Sequence, residues 1–287
     1  MRDYKTIKRY LKQQVTLTKE EHPEETLAEI VEGSLFKGYN FWILFFAMII
    51  ACIGLNTDST SALIGAMLIS PLMGPIVGFA FGVSINNAKL KKQGIANWFI
   101  MTLISLLAST LFFYVTPFQH NTSAIFSFTK ASIFDVLMAF FGGMAGFIGI
   151  VKKEGTKVIA GVAVATACMP PLCTAGYGLA HADITCFFGG LYYYLINCLY
   201  IGLATFVLSR VLGYHIYFNC KKSLNKTIQF LWMLFIVLML LPSLYIAYTK
   251  YKQEYLNPTS QSTDKQRIDS LEKRLQIIEH NFKLPKN

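Results

Sequence analysis

The chain has 287 residues, 54% of them hydrophobic, and a formal net charge of +10. Its apolar stretches are long enough to cross a hydrocarbon core that takes about 20 residues per helix, which excludes a soluble globular domain. The positive charge lies between those stretches, where loops on the inner side of a membrane collect Lys and Arg, so it gives no ground for a nucleic-acid partner.

Residues 1–40 read as a basic amphipathic cytoplasmic region. Arg2, Lys5, Lys8, Arg9 and Lys12 alternate with Tyr4, Ile7, Tyr10 and Leu11, as in a segment lying on an anionic inner leaflet. Leu27, Ile30, Val31 and Leu35 then recur at helical spacing and predict an interfacial helix over Thr26–Phe36. No cleavable signal peptide is visible, because the leading residues are charged and no small-residue cleavage site follows the first apolar span.

Seven spans are predicted: Phe41–Leu55, Ser61–Ile85, Ile95–Thr116, Ile133–Val151, Val158–Ala180, Thr185–Leu212 and Ile228–Tyr248. They divide the chain into a first three-helix repeat (41–116), an external loop (117–132) and a second three-helix repeat (133–212). A cytoplasmic loop with the seventh span (213–248) and a tail (249–287) follow. Basic residues alternate between loops: Lys89, Lys91 and Lys92, then Lys152, Lys153 and Lys157, then Arg210, Lys221, Lys222 and Lys226 all mark one side. That side is the cytoplasm, the N-terminus lies there, and seven crossings leave the tail outside. The chain is therefore read as a multi-pass protein of a prokaryotic cytoplasmic (inner) membrane, with the lipid bilayer as its first partner.

Two of the spans carry a matched proline break. Ser59–Gly82 reads STSALIGAMLISPLMGPIVGFAFG and Val158–Ala180 reads VIAGVAVATACMPPLCTAGYGLA, in a register that sets Pro71-Leu72 on Pro171-Leu172. Proline lacks an amide proton and clashes with the carbonyl one turn earlier. Pro71 and Pro75 are thus expected to release the carbonyls of Met67 and Pro71, and Pro170 and Pro171 those of Thr166 and Ala167. Such carbonyls need another helix, a hydroxyl, water or an ion, and Ser70, Thr166 and Thr174 lie near enough in sequence to supply hydroxyls. Gly65, Gly74, Gly78, Gly161, Gly176 and Gly178 would admit a neighbouring backbone or a substrate. A single break of this kind is a proline kink packed on small residues; two in corresponding halves point to an inverted repeat with a pathway between them.

Ionisable residues in the spans are few. Asp58, Asp135 and Asp183 fall at external ends, where they either cap helices or gather cations at an outer mouth. Asn197 lies inside the sixth span, as interhelical glue or a ligand contact. The six cysteines show neither metal-ligand spacing nor a disulfide framework and read as small apolar fillers. The five histidines have no partner spacing, and no phosphate loop follows a strand pattern, so no cofactor, metal or catalytic residue is assigned. In the tail, Ile268, Leu271, Leu275, Ile278 and Phe282 follow coiled-coil core spacing, with Arg267–Glu272 and Arg274–Glu279 as flanking pairs. This pattern predicts a homo-oligomer, a trimer by preference, or else a helix lying on the membrane surface.

The stretches NTDSTSALIGAMLISPLMGPIVG, GVAVATACMPPLCTAGYGLAHAD and GGLYYYLINCLYIGLATFVLSR resemble the prokaryotic membrane family catalogued as domain of unknown function 389, over roughly Glu24 to Gly213. The resemblance implies a membrane fold in which both proline segments matter. It also implies longer relatives with an additional soluble domain that residues 1–40 do not supply, and it brings no substrate or reaction. The residues themselves suggest a transporter or channel for a small solute or ion. Its expected pathway is lined by Met67, Ser70, Pro71, Gly74, Pro75, Thr166, Ala167, Pro170, Pro171, Thr174 and Asn197. The competing classes are a membrane scaffold or sensor assembled through the tail and, less favoured, an intramembrane enzyme.

Overall fold

The computed structural model describes residues 23–116, 122–152, 157–218, 244–245 and 248–249. The chain divides into two units, Met1–Met239 and Leu240–Asn287, and every element below belongs to the first. The segment 1–22, nearly all of the expected seventh span and the whole coiled-coil pattern of Ile268, Leu271, Leu275, Ile278 and Phe282 lie outside the described residues.

The described elements are all helical. They are α1 (Pro23–Ser34), α2 (Gly38–Asn56), α3 (Thr60–Ile69), α4 (Met73–Ser84), α5 (Ala88–Val115), α6 (Ser123–Ser127), α7 (Ile133–Lys152), α8 (Lys157–Ala180), α9 (Ile184–Val211) and α10 (Tyr214–Tyr217). By length and apolarity α2, α5, α7 and α9 each suffice to cross a membrane, and α3 with α4 passes as a pair bent by 50°. Apolar side chains face outward: Phe99, Leu103, Leu107 and Leu111 form an exposed row on α5, while Ser105, Ala108 and Ser109 of the same helix are buried. On α5, large apolar groups outside and small ones inside follow the pattern of helices packed in lipid, where close backbone approach contributes to cohesion.

The first predicted break is present. Ser70 is extended (φ −74, ψ 128), as the residue before a proline prefers, and its hydroxyl accepts the Leu72 amide at 3.4 Å. The expected release of the Met67 carbonyl is corrected by the geometry: the Ser70 amide donates to it at 3.4 Å, closing a tighter last turn. The second predicted break is not an interruption. Helix α8 continues through Pro170 and Pro171, and residues 168–178 are buried without exception. Neighbouring helices hold the segment in helical conformation where local chemistry alone would favour a break.

The N-terminal helix spans Pro23–Ser34 and packs on the bundle through one face. Its buried face is Thr26, Ile30 and Ser34, with Leu27 and Val31 packed beside them. A carbon added at Gly74 would overlap the Gly33 carbonyl, and one at Gly78 would lie 2.6 Å from Ser34 Cβ, so the end of α1 rests directly on α4. Side-chain amides cap that end: Asn97 donates to the Ser34 carbonyl at 2.7 Å and Asn40 to the Leu35 carbonyl at 3.0 Å. Gln93 donates to Ser34 Oγ at 3.2 Å. The expected external loop 117–132 contains a further helix, α6, whose Ile125 is fully buried.

Three corners between consecutive helices share one construction. Asp58, Asn86 and Ala182 have φ of 49, 52 and 54, and each precedes the N-cap of the next helix: Ser59, Asn87 and Asp183. The amides of those three caps donate to Gly54, Gly82 and Gly178 at 2.8, 2.9 and 2.9 Å. Each glycine faces the first turn of the following helix: Leu63, Lys91 and Phe187 present their amides where a side chain would otherwise stand. Only glycine admits a backbone at that distance.

Candidate functional site

The expected pathway residues divide into those at the α3–α4 break and those in α8. At the break Met67 and Pro75 are buried, and Ser70, Pro71 and Gly74 are half-buried. Gly74 is spoken for by the α1 terminus. In α8, Pro170, Pro171 and Thr174 are buried, and the Thr174 hydroxyl donates to the Ile125 carbonyl of α6 at 3.2 Å, not to a carbonyl freed by proline. Thr166 and Ala167 belong to α8, but their side chains lie outside the described residues. A carbon added at Gly190 of α9 would sit 2.5 Å from the Pro171 carbonyl and 2.7 Å from the Ala175 amide, which shows how tightly α9 backs the proline segment.

The three aspartates expected at an outer mouth each serve backbone amides. Asp58 accepts from the Ala124 amide at 3.2 Å and so caps α6. Asp135 accepts from the Ser132 amide and hydroxyl, both at 2.7 Å, at the start of α7. Asp183 caps α9 through the Thr185 and Cys186 amides at 2.8 and 3.1 Å. The Cys186 amide, with a smaller contribution from Thr185 and nearby His181, holds the Asp183 carboxyl below its ordinary value against the opposing effect of desolvation. Capping accounts for all three positions.

A different group of side chains meets where α5, α8 and α9 converge. Trp98 of α5 stacks on Tyr194 of α9, with ring centroids 6.3 Å apart and planes 5° from parallel. The Tyr194 and Thr102 hydroxyls share a hydrogen bond of 2.6 Å. One turn further along α5, Ser105 is fully buried and its hydroxyl has no partner, and the indole Nε1 of Trp98 is likewise buried without one. Asn197 is 1% exposed. Cys168 of α8 and Cys198 of α9 bring their sulfurs to 3.8 Å.

Trp98, Thr102, Ser105 and Tyr194 belong to neither of two apolar clusters found among the described residues. One cluster gathers Leu55, Leu63, Phe113, Ile125 and Tyr177; the other gathers Ile30, Val77, Phe81, Phe147, Leu208 and Tyr214. Of the expected site residues whose side chains are described, Asn197 lies on the same helix as Tyr194, three residues on. Trp98, Thr102, Ser105 and Tyr194 were not legible as a set, since each is an ordinary residue of an apolar helix and only tertiary packing brings them together. Among the described residues no cluster of three or more His, Cys, Asp or Glu side chains is placed to hold a metal ion.

The family profile described as a domain of unknown function (DUF389) matches residues 67–203. An uncharacterized protein of Methanocaldococcus jannaschii is 25% identical over 184 residues, covering 64% of this chain and 57% of the relative. The chain thus aligns with little more than half the length of that relative. No solved structure matches the chain.

Proposed function

From the premise that residues 67–203 carry the domain of unknown function 389, we propose a transporter or channel for a small solute or ion, built as an inverted repeat. The observation that carries this reading is that two close approaches of the first half recur in the second at the same spacing. Gly82 faces the Lys91 amide as Gly178 faces that of Phe187, and Gly94 faces the Phe79 amide as Gly190 faces that of Ala175. Carried back along the helices, this correspondence sets Pro75, rather than Pro71, opposite Pro171.

Helix neighbours follow the same exchange. Helix α5 packs on α4 and α8, and α9 packs on α8 and α4; α2 touches α3 and α5, and α7 touches α8 and α9. The small helices join in, since α1 meets α4 and α7 while α6 meets α8 and α2. The contacts of α2 with α8 and of α1 with α5 have no counterpart of comparable extent. Each repeat then comprises a short docked helix, a first span, a proline-bearing span and a long third span. Repeats of this kind carry substrate at their interface near the bilayer midplane and expose it to each side in turn.

In this reading the protein sits in a prokaryotic inner membrane with its N-terminus in the cytoplasm, assembles as a homo-oligomer through its tail, and catalyses no reaction. A second reading, a scaffold or sensor, draws support from the unbroken burial of residues 168–178. Single cysteines at positions 70 and 102 of a cysteine-free protein separate the two. An impermeant charged thiol reagent applied to intact cells and to inverted vesicles labels both positions in a transporter or channel. Protection from both sides overturns the reading in favour of the scaffold.

A further inference from the structure

Residues that stand in equivalent positions of two inverted repeats and also touch each other lie on the axis relating the repeats. The correspondence that pairs Gly94 with Gly190 also pairs Trp98 with Tyr194, four residues further along each helix. These are the two rings that stack. Each lies ten residues into its helix, about 15 Å from its start at a rise of 1.5 Å per residue. Helices α5 and α9 start at opposite ends of the bundle: Gly176, near the corner that leads into α9, faces Ser109 towards the end of α5, and Ala80, near the corner that leads into α5, lies against Gly202 towards the end of α9. The stacked pair is therefore midway across a hydrocarbon core of about 30 Å.

We propose that this axial layer is a binding site for a small uncharged polar solute of the amide or polyol class. The proposal rests on the transport reading and gives it a substrate class. The stacked pair and the next two turns of α5 hold hydrogen-bonding groups beyond those the fold uses. Thr102 and Tyr194 bond to each other, whereas the Ser105 hydroxyl and the Trp98 indole N–H are buried without partners. Trp98, Thr102 and Ser105 recur at spacings of four and three along one face of α5. Burial of an unpartnered hydroxyl is costly, and a solute that bonds to it recovers that cost.

Among the described residues of α5 and α9, no charge lies at the same level. The charged residues of α5 are Lys89, Lys91 and Lys92 in its first turns, and that of α9 is Arg210 in its last. A permanent ion at the midplane would meet no counter-charge there, so an ion faces a desolvation penalty that a neutral amide or polyol escapes.

The test uses the full-length protein in liposomes, with urea and glycerol as probes. Stopped-flow light scattering follows their entry, and a potential-sensitive dye follows potassium and chloride. The expected result is accelerated urea or glycerol entry without ion conductance. Tyr194→Phe lowers the neutral-solute rate about fivefold, the size of effect one net hydrogen bond carries. Ser105→Ala lowers it similarly, and because that hydroxyl bonds to no protein group, the variant keeps its thermal stability. Ion conductance without neutral-solute entry overturns the proposal and leaves transport standing. No flux of either kind overturns both, and rates unchanged in Tyr194→Phe and Ser105→Ala overturn the assignment of these residues.

Discussion

At the scale of single residues, polar groups in this chain are spent first on helix ends. Ser59, Asn87, Thr122 and Asp183 accept amides at the starts of their helices, and Asn97 and Asn40 close the end of α1. For Asp183 the consequence is a dependence on pH. Its folded carboxyl ionises more readily than an ordinary one, so the cap adds stability above the ordinary carboxylate range and loses it as pH falls through the folded value. Asp183→Ala is expected to lower stability by about 1 kcal/mol at neutral pH, the usual worth of such a cap. Thermal unfolding in detergent should show the gap between variant and wild type narrowing in acid. Gly74 supplies a harsher case, because any side chain there meets the Gly33 carbonyl. Gly74→Leu is expected to lift α1 from the bundle, which a cysteine at position 34 reports by passing from protected to labelled.

At the scale of elements, two proline segments of similar composition behave differently, and the difference lies in what surrounds them. Ser70 offers its hydroxyl to the Leu72 amide, a local alternative to the helix, and α3 ends there. Met169 and Leu172 flank Pro170-Pro171 and are fully buried among other helices, so α8 continues. The proline and glycine residues were visible in the chain; the packing that decides between a break and a continuous helix was not. The same limit explains why the repeat register read from Pro71 and Pro171 differs by four residues from the register of the corners. Four residues is about one helical turn, so both alignments present the same helix face. The docked helix α6 escaped notice because five residues carry too little periodicity to stand out. Pro171→Ala restores an amide donor to a helix that already passes through the site. It is expected to fold and to gain up to about 3 kcal/mol, the usual cost of an interior proline, read as a raised Tm in detergent. Pro71→Ala instead removes the ring that keeps Ser70 extended, and should slow flux without a comparable gain in Tm.

At the scale of the whole molecule, the bend of 50° between α3 and α4 admits two topologies, a crossing with a break or a hairpin that returns to the side it entered. The corners decide which is consistent with the rest. The α4–α5 corner repeats the α8–α9 corner in its glycine, its left-handed residue and its N-cap. Helix α8 is one unbroken helix of 24 residues, so its two ends lie far apart. If α3 with α4 is the counterpart of α8, the corners at Thr57 and at Ala88 must lie on opposite sides of the membrane. A hairpin would put them on one side and would end the correspondence between the halves, although each corner would keep its local geometry. Loop charge points the same way, since Lys89, Lys91 and Lys92 follow the second corner and the first carries no Lys or Arg. The exposed residues Thr57, Ala88 and Thr185 therefore make a decisive set as single cysteines. Thr57→Cys and Thr185→Cys are expected to react in intact cells and Ala88→Cys only in inverted vesicles. If Thr57→Cys and Ala88→Cys react from the same side, the span is a hairpin, the repeat fails, and the axis through Trp98 and Tyr194 fails with it.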